Sequence, residues 1–369
     1  MRRSVPTITP ARFLAAFFLF LGVAIPSLLG KPHRVQPAPP PRPAEKSVPP
    51  ENAPPENAAP TFGSGAILES CWAPEALRGS DADKKIVKPF HDRLPDRPER
   101  TRPKFIRGPE PPERQNSIRS VTPADGKKVV ALTFDLCERG NEKTGYDAAI
   151  VNYLRANRIK ATFFAGGKWM RSHPDQAMQL MADPRFEVGN HAWTHGNLRV
   201  LKGREMEDQV LWAQAQYELV REELAALDCA RGAGAAEMNK IPPVPLALRL
   251  PYGTCNPDTL KFLASAGLPA IQWSIVTGDS SRKQTAGGIT RAVMNGIKPG
   301  AIIIMHANGR GHGTAQALPR FIPMLQKMGY EFVTVTELLD LGPAFATTDC
   351  YEVAPGDNLR YDKIFGKGT

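Results

Sequence analysis

The chain has 369 residues, 42% of them hydrophobic, with a formal net charge of +10. That length allows two average domains or one α/β barrel, and the composition favours a single folded unit. The basic residues are scattered and form no nucleic-acid-binding motif, which excludes a nucleic-acid reader and points to an anionic envelope surface or cell-wall polymer.

Arg2, Arg3 and Arg12 precede an apolar run at 13–29, the pattern of an export signal that leaves the N-terminus in the cytoplasm and sends the remainder outward. Residues 1–30 are therefore a signal peptide or an anchor in the inner membrane, and the lack of an Ala-x-Ala site favours the anchor. Residues 31–60, nearly all Pro, Ala, Glu, Arg, Asn and Lys, cannot bury enough apolar surface to offset their ordering entropy and read as a partly polyproline II linker. Residues 61–124 read as an irregular flank, 125–342 as the main folded unit and 343–369 as a tail. Five cysteines in an exported chain permit disulfides and leave at least one unpaired. Cys71 and Cys350, which flank the unit, are the expected pair, while Cys137 and Cys255 follow predicted strands as buried thiols or as neighbours of catalytic groups.

From residue 129 strands and helices alternate. Strands are predicted at 129–134, 161–165, 186–188, 246–250, 270–275, 301–305 and 331–335. Helices are predicted at 146–157, 174–181, 206–227, 257–266, 289–296 and 316–328. Repeated strand-then-helix units imply a parallel sheet, and this many imply closure into a distorted (β/α) barrel of the α/β class. The active site of such a barrel lies at the C-terminal ends of its strands. Asp135, His191, Arg249 and His306 all end separate predicted strands. His191 and His195 stand four apart, so a helical turn there would aim both imidazoles to one side as a chelate for a divalent ion; unrelated histidines are the other reading.

Taken together, Thr133-Phe-Asp135, His191-x-x-x-His195, Arg249-Leu-Pro-Tyr252, Trp273 with Asp279, and Ile304-Met-His306 resemble the five ordered motifs of the polysaccharide deacetylases, carbohydrate esterase family four. The resemblance implies a distorted barrel that hydrolyses acetyl groups from N-acetylated sugar polymers, peptidoglycan or chitin-like oligosaccharides, with a divalent metal, Zn2+ first and Co2+ as an alternative. It implies Asp135 as general base, Arg249 as its bidentate partner and the Tyr252 backbone amide as oxyanion donor. It also implies His306 as general acid, with Asp279 orienting its ring. Trp273 is a sugar platform or core filler, and Arg310, on the glycine-rich loop after His306, contacts substrate or belongs to a plain surface loop.

Two positions depart from the family pattern. Leu136 stands where a metal-binding aspartate is usual, and Val276 and Ser280 alter the fourth motif. Two neutral imidazoles leave a divalent ion uncompensated, so a carboxylate from the same stretch is expected to complete the shell with His191 and His195: Asp135 first, Glu138 next, with Glu142 and Asp147 as further candidates. The expectation is an exported enzyme of the periplasm or cell envelope, its partner a glycan polymer. A non-catalytic glycan-binding protein and an O-acetyl sugar esterase are the alternatives.

Overall fold

The computed structural model describes residues 62–89 and 96–365, so the apolar run at 13–29 and the linker at 31–60 lie outside the described residues. No helix among the described residues is long and apolar enough to cross a membrane.

Ten strands form one sheet: β1 (Ser117–Val121), β2 (Val129–Leu136), β3 (Ala161–Ala165), β4 (Phe186–Asn190), β5 (Leu248–Arg249), β6 (Ala270–Ile271), β7 (Ile275–Val276), β8 (Ala301–His306), β9 (Glu331–Val333) and β10 (Ala344–Thr347). Their order is β10-β1-β6-β5-β4-β3-β2-β8-β7, with β9 on β2. A bridge between Ser120 of β1 and Ala301 of β8 closes the ring, giving the distorted (β/α) barrel. All pairings are parallel except those of β1 with β10 and with β8. Parallel neighbours need long crossovers, and the helices Ala148–Ala156, Pro174–Ala182, Arg204–Ala226 and Pro257–Ser265 supply them along the first half of the ring.

Several sequence expectations change at the seam. The strand expected at 270–275 is two short strands, because β6 pairs with β5 and β1 whereas β7 pairs with β8. The flank expected to be irregular contains β1 and the helix Gly65–Cys71, whose N-cap Ser64 side chain accepts from the Ile67 amide. Ile67, Leu68 and Trp72 join the main apolar core. The segment expected to be a tail adds β10 antiparallel to β1. Both strands are short and carry no strong alternation, and the sheet edge, more than their own composition, holds them extended.

The cysteines pair as Cys71 with Cys229 and Cys255 with Cys350, not Cys71 with Cys350, and Cys137 is free and buried. Symmetric placement in sequence did not translate into proximity. Cys71 ends the Gly65–Cys71 helix and meets the helix Asp228–Ala233, while Cys350 follows β10 and reaches the loop after β5.

The period of two along each strand divides the molecule into an outer and an inner layer. Val130, Leu132, Phe134 and Leu136 of β2, with Phe163 of β3, Val188 of β4 and Ile303 and Met305 of β8, pack in the larger cluster beneath the helices. Val129 and Ala131 of β2, Phe164 of β3 and Ile302 and Ile304 of β8 belong to a separate cluster lining the barrel. By the same alternation Asp135 and His306 face inward, and Leu136 faces away from them into hydrocarbon. Leu136→Asp would therefore place a carboxylate in the outer layer, and not beside the histidines as the family pattern had implied. It is expected to destabilise the fold by about 3–5 kcal/mol, read as a shift in denaturant midpoint.

Candidate active site at the C-terminal ends of the strands

The two histidines come together through a loop and not through the helical turn expected. β4 ends at Asn190, and Ala192 and His195 adopt left-handed backbone conformations, φ 61° and 59°. Each such non-glycine residue costs on the order of 1–3 kcal/mol and persists only where its surroundings overdetermine it. Here Asn190 accepts from the Ala192 amide, and Gln209 Oε1 accepts from the Thr194 and Gly196 amides. The amides of Gly167 and Lys168 donate to the carbonyls of Ala192 and Trp193. The imidazole centroids of His191 and His195 end up 4.9 Å apart.

His191 Nδ1 lies 2.9 Å from the Arg249 carbonyl oxygen, which can only accept, so Nδ1 carries the proton and Nε2 presents its lone pair. That Nε2 is buried, has no hydrogen-bond partner, and stands 3.6 Å from Asp135 Oδ2. Burial pushes both imidazoles below the ordinary histidine pKa; the Asp135 charge opposes this at His191, and His191 reinforces it at His195. Both rings are thus held neutral, the form that binds a metal.

Asp135 and Arg249 meet within the barrel. Arg249 is wholly buried, and its Nη1 donates to Thr133 Oγ1 at 2.6 Å and to Asp135 Oδ1 at 3.2 Å, while Nη2 and Nε donate to the Gln272 and Ile271 carbonyls. The contact with Asp135 runs through a single nitrogen and is not the bidentate fork expected. The guanidinium carbon lies 4.4 Å from the Phe164 ring centroid. Gly189 makes room for that ring, since a Cβ there would come within 2.7 Å of it.

Asp135 and His306 are register partners on the neighbouring strands β2 and β8, so they stand side by side on the inward face. His306 Nδ1 donates to Asp279 Oδ1 at 2.8 Å, and its backbone amide and Thr314 Oγ1 both donate to Asp279 Oδ2 at 2.7 Å. Burial works against the charged ring, but the charge and hydrogen bond of Asp279, aided by Asp135, outweigh it and raise the His306 pKa. Val276 and Ser280 leave this pair intact.

The carboxylates weighed as replacements for the ligand missing at 136 are mostly occupied. Glu138 accepts from the Thr144 amide at 2.9 Å and from Ser172 Oγ, and burial raises its pKa to about 7. Glu142 is clamped between Arg139 and Arg310, which outweigh its burial and hold its pKa low. Arg310 is therefore a rim residue fixed by an ion pair. Asp147 is the N-cap of the Ala148–Ala156 helix. Among the described residues, the set of His, Cys, Asp and Glu donors lying within 4.8 Å of one another is Cys137, His191 and His195. Sequence reasoning placed Cys137 as a buried thiol or a neighbour of catalytic groups but not as a donor beside the histidines, although its position two after Asp135 was a signal that both share a side of β2. Its sulfur accepts from Asn308 Nδ2 at 3.1 Å, and burial raises the free thiol pKa to about 12. An orphaned buried Nε2, a second neutral imidazole and a buried sulfur fit a thiophilic divalent ion such as zinc.

These groups open on a cleft of about 390 Å³ lined by Asp135, Cys137, His195, Asp279 and His306. Tyr252, at φ 57°, packs edge-on against His195 at 4.3 Å, with Phe365 stacked on its other side at 4.1 Å and Tyr361 at 5.5 Å. Trp273 contributes to the wall but is 4% exposed, with its indole N–H donating to the Glu352 carbonyl. Trp193 is core. The C-terminal segment is thus one side of the cleft: Asn358 donates to the Gly253 carbonyl, Arg119 grips the carbonyls of Tyr351 and Glu352, and Arg199 binds Asp362.

A barrel whose rim carries paired carboxylate, histidine and arginine groups marks the candidate site, and comparison with known proteins names its family. Residues 122–271 match the profile described as polysaccharide deacetylase. The chitooligosaccharide deacetylase of Sinorhizobium fredii is 30% identical over 217 residues, covering 56% of this chain and 89% of that protein. The peptidoglycan-N-acetylglucosamine deacetylase PgdA of Listeria monocytogenes is 28% identical over 265 residues, covering 72% of this chain but 48% of the relative, so the chain spans about half the length of the first curated relatives it matches. The solved structure of the Bc1960 peptidoglycan N-acetylglucosamine deacetylase is 26% identical, with a TM-score of 0.49, covering 61% of this chain and 93% of that one. The chain belongs to the polysaccharide deacetylase family.

The Cys255 to Cys350 disulfide ties the wall segment to the loop carrying Tyr252. Replacing both cysteines by serine is expected to lower stability by about 2–5 kcal/mol in denaturant titration. With Tyr361 and Phe365 no longer held against Tyr252, the amides of 358–365 should exchange with solvent faster than in the intact chain.

Proposed function

We propose that this protein is an exported, metal-dependent deacetylase of N-acetylated sugar polymers, peptidoglycan first and chitin-like oligosaccharides second. The observation that carries the reading is the side-by-side placement of Asp135 and His306, each with its own orienting partner, in a cleft that His195 lines and behind which the neutral His191 is packed. The deacetylase names of the relatives support the substrate class. Two disulfides and the basic-then-apolar segment at 1–30 support export to the periplasm or cell envelope.

A divalent ion held by His191 and His195 would supply acidity to a water molecule and polarise the acetyl carbonyl. Asp135 takes the proton from the attacking water, and Arg249 holds it aimed through Oδ1. The backbone amide of Tyr252, in its left-handed turn, donates to the oxygen on which charge develops. His306 then gives its Nε2 proton to the departing amine, which would otherwise leave poorly; Asp279 holds Nδ1 and favours the imidazolium. Trp273, Arg310 and the Tyr361 and Phe365 wall bound the space for the sugar.

Purified protein supplied with zinc or cobalt is expected to release acetate from N-acetylglucosamine oligomers or from peptidoglycan. Release from O-acetylated sugars alone would make it an esterase, and tight glycan binding without release from either class would make it a binding protein. Asp135→Asn and His306→Ala should each lower kcat by about 10²-fold or more with metal content unchanged. A general acid works only while protonated, so activity is lost as pH rises through the His306 pKa. Removing the charge that raises this pKa, as in Asp279→Asn, should move the alkaline limb of the kcat profile to lower pH.

A further inference from the structure

We propose that Cys137 is the third protein ligand of the ion, binding it as a thiolate together with His191 and His195 in place of the carboxylate that Leu136 has displaced. This deepens the reading above and rests on it only for the presence of an ion.

The strand register drives the substitution. Residue 136 is committed to the outer apolar layer, and the next inward position is 137, one residue past the end of β2. Cys137, His191 and His195 offer donor atoms within 4.8 Å of one another. With bonds of about 2.0–2.1 Å to nitrogen and 2.3 Å to sulfur, tetrahedral zinc needs donors roughly 3.3–3.8 Å apart, a closing of at most about 1.5 Å from the present spacing.

Two independent features point to an occupant. The His191 Nε2 lone pair is buried without a partner, with its tautomer set by the Arg249 carbonyl. The sulfur is approached by Asn308 Nδ2, which also donates to the Cys137 carbonyl at 2.7 Å, so one amide both fixes the residue and offsets charge on the sulfur.

Asp135, the alternative ligand, already balances the buried Arg249 through Oδ1, and an Oδ2 bound to the ion would share its single negative charge between two cations. On binding, the thiol proton leaves to solvent and one S–metal bond forms. The thiolate carries the same single negative charge as the displaced carboxylate, so the net charge of the shell is preserved while its softness increases. Three protein ligands leave one position open, as catalytic zinc requires.

The chain makes the test unambiguous, because four of its five cysteines are in disulfides and any thiolate signal belongs to Cys137. The unreduced full chain, loaded with one cobalt(II), should show a sulfur-to-cobalt charge-transfer band in the near ultraviolet. Cys137→Asp should keep stoichiometric cobalt and lose the band. Cys137→Ser should weaken zinc binding by more than the roughly 10–100-fold that loss of an outer partner costs. Stoichiometric cobalt without the band would overturn the assignment, as would Asp135→Asn losing metal while Cys137→Ser retains it, or a wild-type chain that takes up no zinc or cobalt. Acetate release is scored separately: the band without acetate release leaves the ligand assignment standing and removes the deacetylase reading, and acetate release with bound cobalt but no band does the reverse.

Discussion

A guanidinium with no access to water sits inside the barrel, and much of the site is arranged to satisfy it. Arg249 spends its donors on Thr133, Asp135 and two backbone carbonyls, and its planar face lies against Phe164. A buried cation is tolerable only with a counter-charge and a full set of acceptors, so the position of Asp135 follows from the need to compensate Arg249. Its own carbonyl meanwhile fixes the proton of His191 on Nδ1. One residue therefore sets both the carboxylate proposed as base and the lone pair proposed as ligand. Gly189 enters the same chain of dependence, because a side chain there would displace the aromatic ring on which the guanidinium rests.

Around this centre the chain closes the barrel with short pieces from both ends of its described part. β1 takes three neighbours, and β10 follows it into a segment that ends beside Tyr252. Such pieces have little intrinsic tendency to be strands; hydrogen bonds to an existing sheet edge, the Arg119 contacts to the Tyr351 and Glu352 carbonyls and a disulfide hold them. The cleft wall is consequently built from residues far from the catalytic motifs in sequence, which is where substrate selection within a family commonly varies.

The departure at Leu136 has a structural logic once the two layers of the barrel are distinguished. An apolar residue at 136 extends the row of Val130, Leu132 and Phe134 under the helices and gains burial. A soft donor at 137 then falls on the inward side with Asp135. Electrostatically the proposed exchange is neutral, and it leaves Asp135 with a single task.

Much of this could be read from the residues alone. The strand and helix alternation from 129 onward and the rim positions of Asp135, His191, Arg249 and His306 are local patterns, written in short stretches whose physics is period and polarity, while the pairing of Asp279 with His306 was implied by the family resemblance. What tertiary structure decided was whatever depended on contacts between distant segments. The cysteine partners, the strands at 117–121 and 344–347, and the aromatic wall of Tyr361 and Phe365 follow from sheet edges and packing that no local window contains. The proximity of Cys137 to the histidines belongs there too. The sequence placed that thiol two residues after Asp135, but only the closure of β2, β3 and β4 into one curved sheet brings its sulfur to the loop that left-handed turns at Ala192 and His195 fold back over the rim.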